Sequence, residues 1–129
     1  LAVIDLEGDG FPYMEWYDGE VTSAQEVWAV GFPLGDPEFT ITAGIVSKTD
    51  TPGDMQWASL DHTIEHDARI RPGNSGGPLI AEDGRVVGVN YAGDDENDIN
   101  LAIAEEEVLQ VLDDLKAGTD VLSLGINGQ

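Results

Sequence analysis

The chain contains no cysteine. No disulfide framework and no thiolate metal site can therefore exist. Positive charge is nearly as scarce. Five Lys and Arg stand against 26 Asp and Glu, for a formal net charge of −21. A surface of that sign repels phosphate backbones and anionic bilayers, so nucleic acid is a poor partner and acidic membranes are disfavoured. Long apolar runs are missing as well, none approaching the ~18 residues that a membrane span needs. The chain opens on Leu1, with no initiator Met and no charged leader, and shows no signal-peptide pattern. That start reads as a processed or excised piece.

What is present fits one domain. The 129 residues match a single unit, and 41% hydrophobic residues supply one packed core. High net charge opposes collapse, but the apolar runs argue for a folded chain. The acid excess fits a protein kept soluble in high salt, and fits an acidic secreted protein almost as well. Net charge speaks to solubility and association rather than to fold.

Along the chain, Leu1–Leu6 is a compact apolar run ending at Gly8-Asp9-Gly10, and is expected as a buried strand. A short strand is expected near Tyr13–Trp16. Glu26–Phe32 is a second strand, stopped by Pro33 and Gly35. Phe39–Ser47 is rich in β-branched residues and reads as a third. Gly44 inside it marks a bulge or a close backbone approach. Asp50–Asp54 reads as a turn and Gln56–Ile64 as another strand. A Gly/Pro-rich loop covers Arg71–Pro78. Leu79–Ala81, the tight turn Glu82-Asp83-Gly84 and Arg85–Tyr91 form a hairpin. Gly93–Asp98 is an acidic loop and Ile99–Ala104 a last core strand.

One segment has helical period. Val108, Val111, Leu112 and Leu115 share a face. Glu105, Glu106 and Glu107 occupy the first turn, where the macrodipole favours negative charge. Lys116 sits in the last turn, and Gly118 is suited to end the helix. The plan is mainly β: six or seven short strands in a sandwich or barrel, then a C-terminal helix over 105–117.

The chemistry concentrates in Arg71-Pro72-Gly73-Asn74-Ser75-Gly76-Gly77-Pro78-Leu79. Three glycines flank one serine, a composition that folds backbone tightly around an exposed hydroxyl. The N–H groups of Gly73 and Ser75 can point at one spot, as an oxyanion hole requires. Taken alone, a Gly-x-Ser-Gly-Gly string is also compatible with a plain glycine-rich turn.

The wider segment Asp67–Leu79 resembles the nucleophile segment of trypsin-like serine proteases of the HtrA/Deg type. Val30–Gly35 and Thr42–Ser47 resemble that family's paired strands, and Gly84–Asn90 and Leu101–Ala104 its closing strands. Together these cover essentially the whole chain, in order. The resemblance implies a single six-stranded antiparallel β-barrel, the second of two, followed by a helix. The segment over 118–129, with Leu124-Gly125-Ile126, resembles the exit toward a peptide-binding PDZ domain. Ser75 would be the nucleophile. The backbone of Gly73, Asn74 and Ser75 would be the oxyanion hole. Arg69, Ile70 and Arg71 would border the primary specificity pocket. Asn90, Tyr91 and Ala92 would form the strand on which a peptide lies by β-addition.

A serine hydroxyl needs a base, which an acidic group must orient. The family's Asp directly precedes a Leu-Ala-Val strand. Leu1-Ala2-Val3 matches it, so the triad's His and Asp are expected outside this chain. The chain is then half of an endopeptidase, inactive alone. The alternative is a non-catalytic peptide-binding module or pseudoprotease. Partners implied are a polypeptide substrate, the missing N-terminal barrel, a PDZ domain and further copies of the chain. No cofactor or metal is implied, and the location expected is extracytoplasmic. An exposed inter-barrel face would favour self-association.

His62 and His66 precede Ser75 closely. His66-Asp67 reads as an exposed corner rather than a dyad, and His62 as a strand-face residue. On a strand, residues four apart do not form a helical metal pair. Arg69 and Arg71 stand where the family more often has small or amide residues. They either pair with the surplus carboxylates or favour acidic substrate side chains. Asp94–Asp98 reads as a solvated loop rather than a Ca²⁺ loop, and Trp16, Trp28 and Trp57 as packing residues.

Overall fold

The computed structural model describes residues 1–55, 58–94 and 97–119. Six strands pair antiparallel into a closed barrel: β1 (Glu26–Gly31), β2 (Thr40–Met55), β3 (Ala58–His66), β4 (Pro78–Ile80), β5 (Val86–Asp94) and β6 (Ile99–Ala104). Their order around the barrel is β1-β2-β3-β6-β5-β4, with β4 returning to β1. The mainly β architecture and its single C-terminal helix agree with the sequence.

The barrel interior is filled by alternate strand residues. Val27 and Ala29 come from β1, Val46 from β2, Ile64 from β3, Leu79 from β4 and Ala102 from β6, all almost wholly buried. Gly44 shows the close approach expected of it. A methyl group there would collide with the backbone N–H of Ala68 and with Asp67. The chain after β3 therefore lies directly on β2. Asp67 fastens it there, its carboxylate accepting the Ile45 N–H at 2.6 Å.

Three expectations need correction. Leu1–Leu6 forms no strand and lies exposed, with Ile4 83% accessible. An apolar run becomes a buried strand only where a sheet edge receives it, and β1 already pairs on both sides. Near Tyr13–Trp16 there is only a bridge between Trp16 and Val86, with Tyr17 and Glu15 bonded to the Val86 backbone. Asp50–Asp54 is no turn. β2 runs through it, and register shifts on either side of Thr51 absorb Pro52, which has no N–H to give a ladder.

Other boundaries move by a few residues. β3 extends past Ile64 to His66, and β5 runs on to Asp94, shortening the acidic loop. Asn97 donates to Asp94 within that loop at 2.6 Å. Trp16 and Trp28 are half-buried. Trp57 and the exit segment beyond Thr119 lie outside the described residues.

The helix α1 (Glu105–Lys116) carries three Glu in its first turn and Lys116 in its last. Val108 is buried, and Val111, Leu112 and Leu115 are half-buried. That face packs across β3, β5 and β6. Gly118, at φ +67°, donates to the Leu115 carbonyl and ends the helix as expected.

Candidate active site

Residues 67–77 cross one end of the barrel between β3 and β4, and backbone bonds hold them along their length. The Thr42 hydroxyl donates to the Arg69 carbonyl at 2.6 Å. The Leu34 N–H donates to the Pro72 carbonyl at 2.7 Å. The Asn74 N–H closes a turn onto the Arg71 carbonyl at 2.9 Å, and the Gly77 N–H bonds the Asn74 carbonyl at 2.9 Å. Gly73 sits at φ +107°, a backbone state that side chains rarely adopt, and a methyl there would strike the Phe32 carbonyl.

Asn90 fixes the far side of this loop. Its carbonyl accepts the Gly76 N–H at 2.8 Å, and its N–H donates to the Gly77 carbonyl at 2.9 Å. Its side-chain amide donates again to Gly77 and to Pro78, at 3.2 and 3.0 Å. One residue of β5 thus clamps the three residues that follow Ser75.

The Ser75 hydroxyl is exposed and donates to the Tyr91 carbonyl at 3.2 Å. A bulge between Asn90 and Ala92 makes this geometry possible, because an extra residue re-aims backbone out of the regular ladder. Among the described residues, the N–H groups of Gly73 and Ser75 have no acceptor. The Asn74 N–H between them is spent on Arg71. The Asn74 side chain turns inward, 3% exposed, against Gly31. Of the three residues expected to form an anion-stabilising loop, two therefore offer free donors and the third anchors them.

The 69–71 wall alternates. Ile70 is buried, and its N–H donates to the Asn100 side chain at 3.2 Å. A methyl group on Gly93 would lie 3.0 Å from Ile70, so this side chain fills the gap between the wall and β5. Arg69 and Arg71 point outward and are exposed. Arg69 pairs with Asp98 at 3.3 Å. Arg71 has no ion pair among the described residues.

A barrel of this order, closing on a serine loop with two free N–H groups, has known counterparts. Residues 1–89 match the family described as "Trypsin-like peptidase domain". The chain belongs to this family. Among curated relatives, it is 35% identical to "Serine protease Do-like HtrA" of Bacillus subtilis (strain 168) over 124 residues. It is 36% identical over 129 residues to "Probable periplasmic serine endoprotease DegP-like" of Marinomonas sp. (strain MWYL1). These alignments cover 89% and 91% of the chain but only 28% and 25% of the relatives. The solved structure "HtrA-type protease AlgW with tripeptide" superposes with a TM-score of 0.76 at 31% identity. There the match covers 90% of this chain and 39% of that one.

Neither histidine of this trypsin-like chain touches Ser75. His62 is half-buried on β3 and meets Asp50 at 3.1 Å. That contact raises its pKa above the usual 6.5. His66 departs from expectation. It is no exposed corner but lies at the end of β3 with no accessible surface. Burial lowers its pKa to about 4, against smaller opposing effects of Asn90, the Ala68 backbone and Asp67. Asn90 and Ala68 lie close enough to favour a protonated ring, yet among the described residues neither ring nitrogen meets a partner at hydrogen-bond geometry. At neutral pH the ring is therefore an uncharged interior group.

Asn100 and the side chain of Asn90 escaped the sequence reading. Asn100 links two segments, donating to the His66 carbonyl at 3.3 Å while accepting from Ile70. Asn in mid-strand is the signal that was available. Asn is uncommon in strands, and a buried amide there requires partners.

Proposed function

We propose that this chain is the nucleophile-bearing half of a serine endopeptidase, with Ser75 forming an acyl-enzyme on polypeptide substrates. The observation that carries this reading is the Ser75 loop: an exposed hydroxyl beside two unpaired N–H groups, on backbone clamped from behind by Asn90. In the reaction Ser75 Oγ attacks the scissile carbonyl carbon and its proton passes to a base. The carbonyl oxygen gains negative charge and is met by the Gly73 and Ser75 N–H groups. The C–N bond then breaks, and the base returns the proton to the departing amine. Water hydrolyses the ester by the same route. Preorganised donors of this kind act where charge develops, and removing one costs about 3–4 kcal/mol of barrier in comparable enzymes.

The substrate lies beside Tyr91 and Ala92, adding to β5 as a strand. Asn90 contributes through the clamp instead, since its own N–H and carbonyl are already used. The chain spans about a quarter of the length of the curated relatives it matches. The base and its orienting acid come from outside these residues, in a preceding barrel, and the chain alone is inactive. A following PDZ domain and assembly with further copies belong to this reading, and an extracytoplasmic location accords with the periplasmic names of relatives. The acid excess accords with a salt-rich environment.

A second reading has one observation in its favour: Ser75 donates to Tyr91 and meets neither histidine. On that reading the barrel binds extended peptides without cleaving them. The upstream reading frame separates the two. The protease reading expects Asp directly before Leu1 and His farther upstream, and casein cleavage by the whole protein that disappears in Ser75→Ala. Absence of that Asp and His, or no casein cleavage by the whole protein, leaves the binding module, and cleavage that survives Ser75→Ala overturns Ser75 as the nucleophile.

A further inference from the structure

We propose that His66 is a positioning residue for the Ser75 loop, acting through the side-chain amide of Asn90. The inference rests on the reading of Ser75 as nucleophile.

Four observations carry it. His66 and Asn90 are both fully buried, at the end of the barrel beneath the loop. The Asn90 amide spends both hydrogens on the carbonyls of Gly77 and Pro78. Its orientation is thereby fixed, because a flipped amide would press its oxygen against two carbonyl oxygens. Its Oδ1 must face away from the loop, and there it has no donor. The His66 ring has the complementary need, with one N–H to give and, among the described residues, no partner for either nitrogen. It lies near Asn90, since His66 pairs with Asn100 and Asn90 with Ala102, two residues apart on β6.

A buried donor and a buried acceptor left unpaired in one interior are costly, and a hydrogen bond between them removes both costs. The result is a chain from His66 through Asn90 to the carbonyls just after Ser75. The backbone of His66 adds a second link, through Asn100 to the Ile70 N–H in the wall beside the loop. One residue at the end of β3 thus serves both sides of the site without touching substrate, one through its ring and the other through its carbonyl. The charged group bearing on the ring is Asp67, its neighbour in sequence, whose carboxylate is turned to Ile45.

The test uses ¹⁵N-labelled chain and hydrogen exchange. In His66→Phe, the Asn90 side-chain amide and the Gly76 N–H should exchange at least tenfold faster, while Ala102 in the adjoining ladder keeps its protection. His66→Gln, which restores a donor, should recover most of the loss. Unchanged exchange at Asn90 and Gly76 in His66→Phe overturns the proposal. Should His66→Phe fail to fold, the wild-type ring decides. A slowly exchanging ring N–H with a nuclear Overhauser contact to the Asn90 amide supports the link, and its absence overturns it. Fluorophosphonate labelling of the whole protein keeps the two claims apart. Intact labelling at Ser75 with no His66–Asn90 link refutes the positioning role alone. No labelling at Ser75 refutes the nucleophile reading and, with it, the role given to His66.

Discussion

The Ser75 hydroxyl donates to the Tyr91 carbonyl at 3.2 Å. On the nucleophile reading, the proton that would leave during acyl transfer is parked on β5, on the edge where a substrate strand would lie. An incoming peptide N–H would compete for that same carbonyl. That reading would join binding and activation at one oxygen. A peptide bound along Tyr91 and Ala92 should shift the Ser75 and Tyr91 amide resonances together. A peptide that moves only residues far from 73–77 and 90–92 argues against this docking edge.

Asn90 should be the most sensitive single position behind the loop. Asn90→Ala removes the side-chain donor from the Pro78 carbonyl and one of two donors from Gly77. Unsatisfied buried acceptors cost about 1–3 kcal/mol each. Chemical denaturation should show a loss in that range, together with faster proteolytic nicking within residues 71–77. Full stability in Asn90→Ala would mean that the side-chain amide holds nothing.

Acid should weaken the fold through His66. Its pKa is about 4 in the folded chain against the ordinary 6.5. The unfolded state therefore binds the proton first. Stability is fully present above about 6.5 and falls as pH drops toward 4, by about 3 kcal/mol across the window. His62 works the other way, because Asp50 raises its pKa. Its contribution is present at low pH and fades as pH rises. Denaturation at stepped pH checks this, and His66→Gln should flatten the fall between 6.5 and 4. A wild-type curve flat over that interval contradicts the buried neutral ring.

Gly44→Ala should destabilise by about 2 kcal/mol or more, since the new methyl meets Ala68 and Asp67 backbone and carboxylate rather than a flexible side-chain tip. The damage should reach the 67–71 wall, which rests on that contact. Thermal melting and the Ile70 amide resonance are the readouts.

Much of this site was legible in the residues themselves. The glycine spacing around Ser75, the close approach at Gly44 and the helix from Glu105 all follow from local backbone chemistry. Three features were not legible, and for a common reason. Leu1–Leu6 has the composition of a strand, but pairing depends on a free edge elsewhere in the fold. His66 is polar and flanked by Glu65 and Asp67, so its sequence surroundings look solvated. Its burial depends on β2, β5 and β6 closing around it, which no local pattern encodes. Pro52 misled in the same way, reading as a turn although a register shift lets a strand pass through it.

The net charge carries its own expectation. With 26 acids against five bases, and Glu105 raised by burial and by neighbouring Glu106 and Asp18, carboxylate repulsion opposes the fold. Salt screens it, with a Debye length of ~3 Å at 1 M. The melting temperature should rise by roughly 5 °C or more between low salt and about 1 M NaCl. A melting temperature indifferent to salt would remove the link between charge and a salt-rich setting.

The central claim is that Ser75 is a nucleophile whose base lies outside this chain. Fluorophosphonate labelling tests it most directly, run in parallel on residues 1–129 and on the protein from the whole reading frame, with the modified residue mapped by mass spectrometry. The expected result is modification of Ser75 in the whole protein and none in the isolated chain. Equal labelling of the isolated chain, or none in either, would contradict the claim.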